Sequence, residues 1–334
     1  LDHDKNCNYF IGKKELNINE NLFLSLETNN GLSKFSNLLE HRAIENLNDV
    51  FYINKDLEIK NNYYFPVNKK LIVKKGVKIS FLGDYIILSE GNISFKGTKE
   101  EPIIINGTNG NGSIILSNNN YYFDNVIIKN LSFPKDQSKI LYGGINIIKS
   151  NLTIENTQIE NSNSEDAINI ISSNNFIKNL NIKKIKADAI DIDFGKLKFE
   201  NINCENIFND CLDASGAQVN GSFLTGNNIN DKGLSFGENS NGEIININFQ
   251  NSRLGVAVKD GSKLKLSKYK LLNNDYDIAV FSKKNEYDSS SLSITHSLFD
   301  NDLKYLIGFN NNITKDNIIL DDKIDNKLIN ELFY

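Results

Sequence analysis

Apolar and polar residues alternate along most of the chain, as in Phe176-Ile177-Lys178-Asn179-Leu180-Asn181-Ile182, and Asn, Gly, Asp or Ser separate the alternating stretches. Period-two alternation over such short runs predicts strands with one buried face. The i, i+3, i+4, i+7 spacing of a helical repeat is missing, and so is the leucine-rich-repeat frame. The strands recur. Asp-Ala-Ile-Asn-Ile at Asp166 returns as Asp-Ala-Ile-Asp-Ile at Asp188 and Asp-Cys-Leu-Asp-Ala at Asp210, with looser copies at Asp231, Arg253 and Asp275. The offsets are 22, 22, 21, 22 and 22, and an insertion around Asn285–Ser291 stretches the next step.

This pattern predicts an all-β fold: a right-handed parallel β-helix, a solenoid of ~22-residue rungs stacked ~4.8 Å apart, each with three strands and three turns. Asn suits the turns because it tolerates left-handed backbone, and stacked Asn side chains can form ladders. Rungs are expected over residues 51–319. Residues 1–50 lack the pattern and read as an N-terminal cap, with a short helix at Phe35–Leu47. Residues 320–334 read as a helical C-terminal cap over the open end.

The 334 residues are 40% hydrophobic and 24% charged, with a net charge of −5. Disorder is excluded, and no clustered basic footprint of a nucleic-acid binder is present. No apolar run is long enough for a transmembrane segment. Methionine is absent, position 1 included. Together with the expected fold, this is read as a mature N-terminus left by signal-peptide cleavage, with initiator removal or trimming as the alternative. Cys7, Cys204 and Cys211 form no zinc spacing, and Cys204 and Cys211 are expected to be small buried fillers without a bridge. His3, His41 and His296 are far apart and match no triad.

Candidate chemistry follows from the stacking. In Ile190-Asp191-Ile192-Asp193 the isoleucines should face inward and both aspartates outward. One rung on, Asp213 should sit beside Asp191 and Ser215 beside Asp193; Gly237-Glu238 and then Lys259-Asp260 follow. The outer face of four rungs therefore gathers Asp191, Asp193, Asp213, Glu238 and Asp260, with Lys259 and Lys232 near them. Like charges directly opposite each other are destabilising, so a cation or a raised pKa should relieve such a cluster. Hard carboxylate oxygens favour Ca2+ or Mg2+ over zinc. A second line, Asp166, Asp188 and Asp210, is expected to accept backbone N–H bonds in tight turns. The pairs Tyr63-Tyr64 and Tyr121-Tyr122 could stack on sugar rings or simply cover the helix.

Gly91–Asn106, with the runs 164–169, 188–193, 209–216, 231–240 and 255–262, resembles secreted bacterial right-handed β-helix repeat proteins of the pectin-lyase-like superfamily. That superfamily hosts lyases, hydrolases, epimerases, adhesins and tailspikes. The resemblance to its pectate-lyase-like members implies Ca2+ at Asp191, Asp193 and Asp213, and Lys232 or Lys259 as the catalytic base. Glu238 and Asp260 would then help bind substrate. The expected role is an extracellular or cell-envelope protein that acts on or binds polysaccharide, as a Ca2+-dependent lyase of acidic glycans. The alternative is a non-catalytic surface, adhesion or assembly rod. No complete lyase motif is present, and the aspartate pair of polygalacturonase-type hydrolases is not in its usual context.

Overall fold

The computed structural model describes residues 8–11, 14–17, 35–133, 141–298, 303–320 and 326–333. Cys7 and His3 lie outside them. The described chain is a parallel β-helix of about 12 turns with ~22-residue spacing.

One rung shows the construction. The strand Asp188–Asp193 turns a corner at Phe194 and continues as Lys196–Ile207, which bends at Asn201 and again at Asn206 before Leu212–Ser215 opens the next rung. All three corner residues have positive φ, between 53° and 65°. Among the described residues most non-glycine positive-φ positions are Asn, whose side chain tolerates this region at small cost. The corner amides also link the rungs: Asn179 Nδ2 donates to Asn156 at 3.0 Å and Asn201 Nδ2 to Asn179 at 3.2 Å.

Inside, Ile168, Ile190, Leu212, Leu234, Val256 and Ile278 pair one above another, all fully buried, as the repeat predicts. Tyr121 is buried and Tyr122 donates its hydroxyl to Glu155, so this pair serves the solenoid wall.

Two sequence expectations need correction. The helical spacing at Phe35–Leu47 produces only one 3-10 turn, Leu38–Glu40; Ile44–Leu47 is instead a strand paired antiparallel with Val50–Ile53. Asn48 and Asp49 both take positive φ between these strands, the hairpin geometry that right-twisted strands favour, and pairing overrides the weak helical period. Cys204 and Cys211 form a disulfide. The spacing of seven is short in sequence, yet the corner folds both inward-facing residues of one rung together, with Cα atoms 5.9 Å apart.

The C-terminal helix, α1 (Asn326–Phe333), forms as expected. It lays Leu328, Ile329 and Leu332 on an apolar patch of the outer wall made by Leu254, Ala257, Ala279, Phe281 and Leu306. Among the described residues no helix is long and apolar enough to cross a membrane.

Two outcomes are expected from this core. Ile190→Asp should cost more than ~3 kcal/mol in denaturant unfolding, because it strands a charge among packed aliphatics. Cys211→Ser should cost about 2 kcal/mol by the loop-entropy rule for a short closed loop. Unfolding midpoints equal to the parent's would contradict either assignment.

Candidate functional site

The strands Gly143–Ile148, Asp166–Ile171, Asp188–Asp193 and Leu212–Ser215 lie side by side in register, followed by the residues around Leu234–Gly237 and Val256–Lys259. Their outward positions form two axial lines. One runs Asn146, Asn169, Asp191, Asp213, Ser235, Ala257; the other runs Ile148, Ile171, Asp193, Ser215, Gly237. Acidic character is thus confined to the middle rungs. Along the axis it is bounded by Leu141 packed on Ile148 and Ile171 on one side, and by the patch under α1 on the other. Asp191, Asp193 and Asp213 are half-buried between these limits, and Ser235 and Asn169 are buried.

Asp213 carries the strongest local polarity. Burial alone would raise its pKa, but the Lys259 and Lys232 ammonium groups and the Ser235 hydroxyl outweigh it and hold the pKa below the usual value. Lys259 Nζ donates to Ser235 Oγ at 2.8 Å and stands 3.8 Å from Asp213 Oδ1. The lysine stem passes over Gly237, where a Cβ would stand 3.2 Å from Lys259 Cε, a tight contact that would make the stem shift by a few tenths of an ångström.

Asp191 has the opposite bias. Burial first, then the charges of Asp193, Asp166 and Asp213, push its pKa well above the ordinary carboxylate range; Asn169 Nδ2 donates to its Oδ2 at 3.3 Å. Asp193 rises to about 7 through burial and the nearby Asp213 and Glu238, with Lys284 opposing. Two carboxyls on adjacent strands therefore favour different protonation states.

In the second line Asp188 and Asp210 behave as turn chemistry requires, whereas Asp166 accepts the Asn169 side-chain amide at 2.9 Å. Asp188 Oδ1 accepts from the Asp210 backbone N–H at 2.7 Å, and Asp210 Oδ1 from that of Lys232 at 2.9 Å. Burial still raises these carboxyls: Asp210 to about 7, although Lys232 opposes the shift, and Asp166 to about 8, helped by Glu165.

The remaining candidates fall elsewhere. Lys232 pairs with Asp210 and Asp231; burial would lower its pKa, but these carboxylates dominate and raise it, the wrong direction for a neutral-pH base. Asp260 is buried in a corner and accepts the backbone N–H groups of Lys283 at 2.6 Å and Lys284 at 2.7 Å, so it is a turn residue rather than a substrate ligand. Glu238 sits at a left-handed corner and pairs with Lys284. Ser235 and Lys284 were not anticipated. The 22-residue offset from Asp213 points directly at Ser235, whereas Lys284 lies beside the irregular insertion.

The Ca2+ expectation meets a poor fit. Asp213 faces Lys259 and Asp191 faces Asn169, and among the described residues no three acidic, His or Cys groups converge tightly enough to hold a metal ion. Lysine supplies the positive charge at Asp213.

No family model matches the chain, and no curated protein matches it. Solved structures of similar shape include the gp42 tailspike of Acinetobacter phage vb_AbaP_AS12, at 10% identity and TM-score 0.46, covering 82% of this chain and 58% of that one. An alginate lyase from Paenibacillus sp. str. FPU-7 overlaps 76% of this chain and 98% of its own, at 11% identity and TM-score 0.43. The periplasmic alginate epimerase AlgG overlaps 84% and 83%, at 11% identity and TM-score 0.37. The chain thus spans little more than half of the tailspike, and at these values the overlaps carry no assignment of activity.

The buried acids make a signed prediction. Asp166, Asp193 and Asp210 hold more protons when folded than when unfolded between the ordinary carboxylate pKa near 4 and their raised values of 7 to 8. Stability should therefore fall as pH rises through that window and level off above it. Thermal melts from pH 5 to 8.5 should show a declining midpoint, flatter in Asp166→Asn. A midpoint that rises with pH would contradict the burial of these groups.

Proposed function

We propose that this protein is an exported, polysaccharide-active β-helix protein whose acid–base pair is Asp191 and Asp213. The observation that supports this reading is the opposed bias of two neighbouring carboxyls, one favouring its proton and the other kept ionised by Lys259. Pairs of this kind divide the roles of acid and base in glycosidic bond cleavage. Asp191 donates its proton to the departing glycosidic oxygen. Asp213 takes the proton of an attacking water, and the hydroxyl adds to the sugar carbon as the C–O bond breaks. Asp193 lies on the same face, two residues along the strand, and helps keep Asp191 protonated. Lys259 and Ser235 act as positioning residues: they fix the charge and direction of Asp213.

Cleavage of a uronate chain by β-elimination remains within the same reading, with Asp213 removing the carbon-bound proton and Asp191 protonating the leaving oxygen. Lys259 would be free to act as base only on releasing Asp213, and Ca2+ at Asp191, Asp193 and Asp213 would have to compete with that ammonium group. The Cys204–Cys211 disulfide accords with an oxidising, extracytoplasmic setting.

The purified protein should release reducing ends, or unsaturated products read by ultraviolet absorbance, from a panel of uronate-rich and neutral polysaccharides. Asp191→Asn and Asp213→Asn should each lower turnover on the order of 10³-fold. Asp191→Asn should leave the melting midpoint unchanged or higher, since a neutral amide of the same shape replaces a carboxyl that burial already disfavours as an anion. Parallel assays in Ca2+ and in chelator separate the metal-dependent version. No product from any polysaccharide in either condition would overturn the catalytic reading and leave a binding rod.

A further inference from the structure

Around the corner that precedes the acidic strands lies an open groove of about 450 Å³. Its floor is the backbone at Ile185 and Ile207, whose side chains point into the core. Two ridges run along the solenoid axis on either side. The first carries Asn161, Lys184, Asn206 and Asn228, which register stacks on successive rungs; each has φ of 56° or 57°. The second carries Lys186 and, one rung on, Phe208. Phe208 is 67% exposed, a large apolar surface set among amides and ammonium groups. Neither Lys184 nor Lys186 forms an ion pair among the described residues, although Glu160 takes both Lys129 and the adjacent Lys183.

These features suit one class of ligand. A groove parallel to the axis repeats its side chains every ~4.8 Å, close to the advance of one pyranose ring along a chain. Amide side chains on the first ridge both donate to and accept from sugar hydroxyls. An exposed aromatic ring offers a face for the apolar side of a sugar, and unpaired ammonium groups offer charge complementarity to carboxylates. Lys186 and Phe208 stand two residues ahead of Asp188 and Asp210, the turn aspartates just before Asp191 and Asp213 in the chain, so a sugar chain lying here runs beside the strands of the acidic face.

We infer that this groove is the recognition subsite for an acidic polysaccharide, with Lys184 and Lys186 binding uronate carboxylates and Phe208 stacking on a ring. The inference rests on the polysaccharide reading above and deepens it to a substrate class.

Calorimetric titration with a tetrameric oligouronate, and with its carboxyl-reduced neutral counterpart, tests it. The oligouronate should bind at least about tenfold more tightly than the neutral chain, and added salt should narrow that gap. The double variant Lys184→Asn/Lys186→Gln should weaken oligouronate binding by about tenfold, and Phe208→Ala should weaken both ligands. Asn at position 184 matches the left-handed backbone and its stacked neighbours, so folding is kept, and a melt confirms it. Absent binding, equal affinity for the two ligands, or unchanged affinity in the variants would overturn the proposal. Charge-selective binding without turnover would uphold the groove and refute only the cleavage chemistry.

Discussion

Stacking in register is the constraint from which the rest of this molecule follows. Each side chain on a rung meets its counterpart on the next at strand spacing, so whatever chemistry occupies a position is repeated along the axis. For apolar residues the repetition builds the core directly, as in the line from Ile168 to Ile278. For amides it builds ladders at left-handed corners. Carboxylates are the difficult case, because the same repetition sets like charges opposite each other.

The chain answers that difficulty in three ways, and the differences among them create the candidate site. Asp188 and Asp210 turn into backbone N–H groups of the following rung. Asp213 receives an ammonium group, which Lys259 delivers from two rungs away across Gly237. Asp191 has neither solution in full, and its proton is the remaining way to lower the charge. A ladder of equivalent positions thereby becomes chemically unequal at adjacent rungs. The apolar patches on either side, one of them covered by α1, leave that inequality in a half-buried strip.

Much of this was legible in the sequence because a repeat converts position into contact. The stacking of Asp191 on Asp213, of Asp193 on Ser215 and of Ser215 on Gly237 follows from counting rungs. Counting says nothing about where a long side chain bends, so Lys232 reads as a base until its two carboxylate partners are seen. Nor does it reveal how a corner folds: Cys204 and Cys211 look too close in sequence to matter until the turn brings them together. Asp260 and Lys284 border the irregular step before Ser291, where the period no longer predicts neighbours. At Phe35–Leu47 a weak helical spacing competed with hairpin pairing and lost.

The central claim is that Asp191 and Asp213, on neighbouring strands, are biased toward different protonation states. Carboxyl-selective 13C NMR titration of aspartate-labelled protein measures this directly, with Asp191→Asn and Asp213→Asn supplying the assignments. The account predicts a carboxyl that titrates well above the ordinary aspartate range and vanishes in Asp191→Asn, and another that titrates below that range and vanishes in Asp213→Asn. Both carboxyls titrating together near pH 4 would contradict it.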